Sequence, residues 1–268
     1  HLAWQADDQI RVISGSNSAV YDIQPGFTDH TATFTGPVVA GEKFDIVCPA
    51  TFASVEEAQV GNVNLTQDGN GSTSHLVFTA KLGNVDKDDL GSIGFTDEWV
   101  ASHAGTTLNM GGIVKLVLTL PEAITAPKRV VLSGIGDDIA VNITGVDLTS
   151  EHVLTAYAQS SWDDIPILAG TEFTVSVTGD DESVFTSTKT IPADATLLAG
   201  TQNIIKVVDG FEEQLFAGGD GTQANPYLIA NAKQLDNMHA DGVLKHNEKV
   251  YFRLIKDIDM QAYLTTHS

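Results

Sequence analysis

The chain has 268 residues and a formal net charge of −21, with 14 basic residues against 35 acidic ones. That charge repels nucleic acid and anionic membrane surfaces over the Debye range, so neither is an expected partner. A hydrophobic content of 42% supports two or three cores, no run approaches the roughly 18 apolar residues of a membrane helix, and a single cysteine excludes an internal disulfide.

Period-2 alternation runs through most of the chain and predicts β-strands. In order, strands are expected at 9–13, 31–35, 43–48, 62–66 and 75–82. Cys48 sits in the apolar run Phe44–Cys48 and is expected as a buried structural thiol. Residues 54–60 suit one helical turn, 67–71 a turn, and 84–89 a polar loop. The small polar stretch 102–107 reads as a passage between two domains. Beyond it, the most apolar strand covers 112–120 and is expected at the centre of a sheet. Further strands follow at 128–133, 138–144, 152–157, 172–178, 184–190 and 203–208, with a hairpin turn at 179–183. Ala40-Gly41, Ala169-Gly170 and Ala199-Gly200 each precede a strand, either as an old duplication or as convergent turn chemistry. The chain opens within what reads as strand (Leu2, Trp4, Ile10, Val12), so residues are expected upstream of His1, where no signal peptide is visible.

The last segment differs in character. A Gly-rich turn (Gly218-Gly-Asp-Gly221) leads into a short strand, an amphipathic helix at 231–238 with Asn231 as its N-cap, and a second strand near 250–260. A unit this small is expected to pack on its neighbour or to be mobile.

Two resemblances follow from these residues. The opening Trp4-Gln-Ala-Asp-Asp-Gln-Ile-Arg-Val12, the strands at 111–119 and 130–133, and Ile167–Val177 with its return Thr186–Thr190 resemble Bacteroidales fimbrillin-like proteins over roughly residues 2–208. Phe216, Gly218, Gly219, Gly221, Thr222, Pro226, Tyr227 and Ile229, with Tyr251–Met260 downstream, resemble the opening found ahead of GLUG-type or β-helical repeats on surface proteins. The first resemblance implies export, often as an outer-membrane lipoprotein lipidated on a cysteine other than Cys48. It also implies two β-sandwich domains and a role as fimbrial subunit, anchor, tip protein or adhesin. A chain that continues into a further module suits a terminal or adhesive role better than a polymerising shaft.

Few residues suggest chemistry. The eight histidines show no metal-ligand spacing and are expected in turns or on the surface. Trp162, Asp163 and Asp164 form an aromatic-plus-acid stretch before Pro166 that suits sugar binding, the other reading being a buried tryptophan anchor. Asp86, Asp88 and Asp89, and separately Asp180, Asp181 and Glu182, are loop carboxylates that suit Ca²⁺, the other reading being solvated turns. Trp4 and Trp99 are expected in cores.

The fold expected is all-β. Two tandem sandwiches, at 1–104 and 105–209, precede the start of a β-helical module at 210–268. No catalytic set or cofactor is expected. The expected function is adhesion or fimbrial attachment at the outer face of the outer membrane, with fimbrial subunits, surface proteins or glycans as partners. Two alternatives are a glycan-binding module of a polysaccharide-utilisation system and the N-terminal part of a larger surface enzyme.

Overall fold

The computed structural model describes residues 4, 6–28, 31–50, 65–76, 79–160, 163–244 and 249–266. Strands dominate and helices are short, so the chain is all-β in class.

The first sheet is built from β1 (Gln9–Ser14), β2 (Asn17–Ile23), β3 (Phe34–Thr35) and β4 (Lys43–Cys48). After β5 (Thr66–Asp68), which leaves this sheet, it is completed by β6 (Ala80–Asp86) and β7 (Thr107–Met110), in the order β3-β2-β1-β4-β6-β7. Alternation places Ile10 and Val12 of β1 and Phe44, Ile46 and Cys48 of β4 in one core with Leu82 and Val85. Trp4 and Trp99 pack against that core, Trp4 edge-on to Phe34 at 5.1 Å.

Two local expectations are corrected here. The strand expected at 75–82 starts at Ala80 and runs through Asp86, so the loop expected at 84–89 is strand followed by one 3-10 turn at Lys87–Asp89. Asn84 carries the irregularity. It adopts φ +61, donates its N–H to Asp45 Oδ1 at 3.0 Å, and lies where the β4–β6 register shifts. The passage expected at 102–107 follows a helix, Asp97–Ser102, whose N-cap Thr96 accepts from the Trp99 N–H at 3.2 Å. The helical turn expected at 54–60 and residues 62–64 of an expected strand lie outside the described residues.

The next strands are β8 (Ile113–Thr119), β9 (Pro127–Ser133), β10 (Ile139–Thr144), β11 (Val153–Gln159) and β12 (Ile165–Ile167). They continue as β13 (Glu172–Gly179), β14 (Val184–Thr190), β15 (Ala195–Leu197), β16 (Gln202–Val207) and β17 (Glu212–Glu213). One sheet has the order β17-β14-β13-β9-β10-β5, a second β11-β8-β16, and β12 pairs with β15. As expected, β8 is central in its sheet. Its Val114, Leu116 and Leu118 share one buried cluster with Val130 and Leu132 of β9 and with Val175 and Val177 of β13. Each fully buried leucine contributes about 1.5–3 kcal/mol relative to exposure. Among the described residues, strand pairing crosses the expected 104/105 division twice. β7 pairs back onto β6, and β5 runs parallel to β10 with Thr66 opposite Asn142.

The C-terminal segment is a strand–helix–strand unit, as its sequence predicts. β18 (Tyr227–Ile229) runs parallel to β19 (Phe252–Leu254), with Tyr227 opposite Phe252. The helix Ala232–Asp236 lies between them, capped by Asn231, whose side chain accepts from the Gln234 N–H at 2.8 Å. Phe216, stacked on Tyr227 at 4.4 Å, forms a small core with Ile229 and Val243. The Gly-rich turn has a steric cause. At Gly219 (φ +85) a Cβ would lie 2.0 Å from the Pro226 carbonyl oxygen. The unit is docked: β17 pairs with β14, and Asn231 and Ala232 both donate to Glu182.

Candidate functional site

Two of the three residues expected to bind sugar, Asp163 and Asp164, hold structural hydrogen bonds. Trp162 lies outside the described residues. Asp163 accepts from Asn109 Nδ2 at 3.4 Å, which ties β7 to the segment before β12. Asp164 accepts from the Ala199 N–H at 2.8 Å and so holds a turn.

In the two expected calcium sets, four of the six carboxylates, those of Asp86, Asp89, Asp181 and Glu182, have partners within the protein. Asp86 pairs with Lys43 at 2.7 Å, and Asp89 lies 3.8 Å from His103 Nε2, while Asp88 is exposed. In the second set, the Asp180 carbonyl accepts from Lys128 Nζ at 3.0 Å and Asp181 accepts from the Ser183 N–H at 3.0 Å. Desolvation raises the Asp181 carboxyl, but the Ser183 hydroxyl and amide and the Lys233 ammonium outweigh it and hold the carboxyl below its usual range. Glu182 turns to the C-terminal unit, accepting from the Ala232 N–H at 3.2 Å. Among the described residues, no group of three or more His, Cys, Asp or Glu side chains converges as metal ligands.

Two surfaces stand out instead. The first is the outer edge of β16, an edge strand running parallel to β8. Its alternation leaves Ile204 55% exposed, and Val208 just beyond the strand is 64% exposed. An edge strand presents unpaired backbone groups that a further strand can complete.

The second is a cleft of about 470 Å³ between the outer face of the β13–β14 hairpin and the C-terminal unit. The hairpin supplies Ser176, Thr178, Val184 and Thr186, placed on one face because alternate residues point outward and Ser176 lies opposite Thr186. The C-terminal unit supplies Phe216, Ala217, Ala230, Gln234 and Lys256. The sequence does not mark these residues as a site. The only signal is the run of hydroxyl side chains at alternate positions of β13 and β14, the ordinary pattern of a solvated sheet face. What makes it a cleft is the docking of a segment about forty residues further on.

No family model matches this chain, and no solved structure matches it. Over 53 residues it is 45% identical to a protein of Evansella cellulosilytica described as a Gly-rich membrane protein. The match takes in 20% of this chain and 6% of that protein, so the chain spans only a small part of its relative's length. No helix among the described residues is long and apolar enough to cross a membrane.

Proposed function

We infer that this is an exported, non-catalytic surface protein that acts in adhesion or fimbrial attachment, as a tip or anchor component contacting proteins or glycans. In this reading the β11–β8–β16 sheet and the β17–β14–β13–β9–β10–β5 sheet form a fimbrillin-like sandwich. The first sheet belongs to another, and the C-terminal unit opens a repeat module. A lipid anchor on upstream residues would hold the chain at the outer membrane. The described name of the Evansella relative, a membrane protein, agrees with an envelope location.

The observation that carries the reading is the open edge of β16, with Ile204 exposed at its middle. Strand addition at such an edge joins two chains through main-chain hydrogen bonds, with side-chain positions giving specificity. Rim contacts from loops on a rigid β scaffold then serve recognition.

The test is an array of surface proteins, matrix proteins and glycans probed with the purified chain, with and without Ca²⁺, beside sedimentation of the chain alone and with candidate subunits. Binding or assembly that Ile204→Lys abolishes supports the reading. A chain that binds nothing and stays monomeric overturns it.

A further inference from the structure

We propose that the cleft between the β13–β14 face and the C-terminal unit binds a short glycan. This deepens the binding reading above, on which the choice of ligand class rests. A polar outer sheet face is ordinary where it meets bulk water. Here it is walled by a second unit, and the hydroxyls of Ser176, Thr178 and Thr186 have no hydrogen-bond partner among the described residues. Each hydroxyl is both donor and acceptor, which matches the hydroxyls of a sugar better than it matches an anion or an apolar ligand.

The remaining lining fits the same class. Val184, Ala217 and Ala230 give an apolar strip for the C–H face of a pyranose, while Phe216 contributes little because its ring is stacked on Tyr227. Lys256 is exposed, forms no ion pair among the described residues, and offers an ammonium to a ring hydroxyl or to a uronic carboxylate. No carboxylate lines the cleft, so a ligand there escapes the close repulsion that the −21 charge imposes elsewhere. The volume falls within the range of about 300–1,000 Å³ typical of small-ligand sites. The walls are preset by the Glu182 clasp on Asn231 and Ala232 and by the β14–β17 pairing, so binding orders little.

The experiment is a ¹H–¹⁵N titration of the whole chain with cellotetraose, mannotetraose and a glucuronate-containing tetrasaccharide. The expected result is shift changes at the Ala217, Gly218 and Ala230 amides with at least one of these sugars. Thr186→Val combined with Ser176→Ala, both outward-facing, should weaken that binding about tenfold or more through two lost hydrogen bonds. Lys256→Ala should weaken the glucuronate sugar selectively if its carboxylate meets the ammonium, and all binders alike if a hydroxyl does. Shifts confined to other surfaces, or binding indifferent to the hairpin variants, overturn the cleft assignment. Surface-protein binding by a chain that shows no sugar shifts overturns it too, yet leaves the adhesive reading standing. Loss of every binding partner overturns both.

Discussion

Asp164 and Asp194 perform the same task at opposite ends of one strand pair. Asp164 Oδ1 accepts from the Ala199 N–H at 2.8 Å, and Asp194 Oδ1 accepts from the Ala169 N–H at 2.8 Å. The segments read Asp164-Ile-Pro-Ile-Leu-Ala-Gly170 and Asp194-Ala-Thr-Leu-Leu-Ala-Gly200. β12 and β15 pair antiparallel about Pro166 and Thr196, so the entrance of each strand adjoins the exit of the other. Each aspartate therefore reaches the partner's turn, and each turn closes on a glycine of positive φ, +86 at Gly170 and +64 at Gly200. The sequence likeness of these two segments marks a shared local structure. Ala40–Gly41 lacks it, since Gly41 lies outside the left-handed region and stands against the Ser14 side chain.

Equivalent roles imply equivalent losses. Asp164→Ala and Asp194→Ala should each lower stability by about 1–2 kcal/mol, the range for an amide hydrogen bond to a carboxylate at a turn. Asparagine at either position keeps an acceptor and should cost less. Urea midpoints at constant m would show it. An Asp194→Ala loss beside a neutral Asp164→Ala would break the equivalence and return Asp164 to the ligand candidates.

Strands whose alternation meets a core on one face were legible from sequence, and β4 and β8 lie where their patterns place them. Other features were hidden for physical reasons. The irregular end of β6 looked like a loop because Gly83 and Asn84 are turn formers, and only the pairing with β4 shows that Asn84 serves a strand irregularity. The Asp97–Ser102 helix had a readable signal, a threonine cap followed by two acidic residues, that period-2 reading passed over. The parallel pairings of β5 with β10 and of β16 with β8 join distant segments, and no local pattern encodes them. The candidate site was least legible. Asp164, Asp181 and Glu182 carry carboxylates where binding chemistry would want them, and folding uses all three.

Cys48 predicts alkaline behaviour. Burial first, then the charge of Asp8, pushes its thiol from 9.0 up to about 12. A folded-state value above the unfolded one gives stability that is complete below pH 9 and is lost as pH rises toward 12. The urea midpoint of the native chain should therefore fall more steeply between pH 9 and 12 than that of Cys48→Ala. Iodoacetamide at pH 8 should leave the folded thiol unmodified and label it once urea unfolds the chain. Rapid labelling of the native protein would contradict the burial.

On the acid side, three turn aspartates act in the opposite sense. The backbone N–H of Thr149, then its hydroxyl, lowers Asp147; the same groups of Thr222 lower Asp220; and Asp181 is lowered as described above. Folded values below 3.8 give stability that is present above that pH and is lost as pH falls through them. Carboxyl NMR titration should find all three midpoints below 3.8, and Thr149→Ala should move Asp147 upward. A midpoint at or above 3.8 would show that the i to i+2 bond is not held in solution.

The docking of the C-terminal unit can be separated from overall stability at Glu182. This residue sits at φ +66, which costs a side-chain-bearing residue about 1 kcal/mol that glycine avoids. Its carbonyl accepts from Asn231 Nδ2 at 3.1 Å and its carboxylate from the Ala232 N–H at 3.2 Å. Glu182→Gly should therefore relax the β13–β14 turn while removing the carboxylate half of the clasp. Hydrogen exchange should show unchanged or greater protection of β13 and β14 and reduced protection across 226–236. Asn231→Ala, which removes the helix cap as well, should expose 226–236 further, at a cost of about 1 kcal/mol. Unaltered protection of 226–236 in Glu182→Gly would mean that the β14–β17 pairing and the Phe216 core hold the unit without the clasp. Loss of protection in 226–236 while β13 and β14 keep or gain theirs is the signature expected of a docking contact formed at a strained turn.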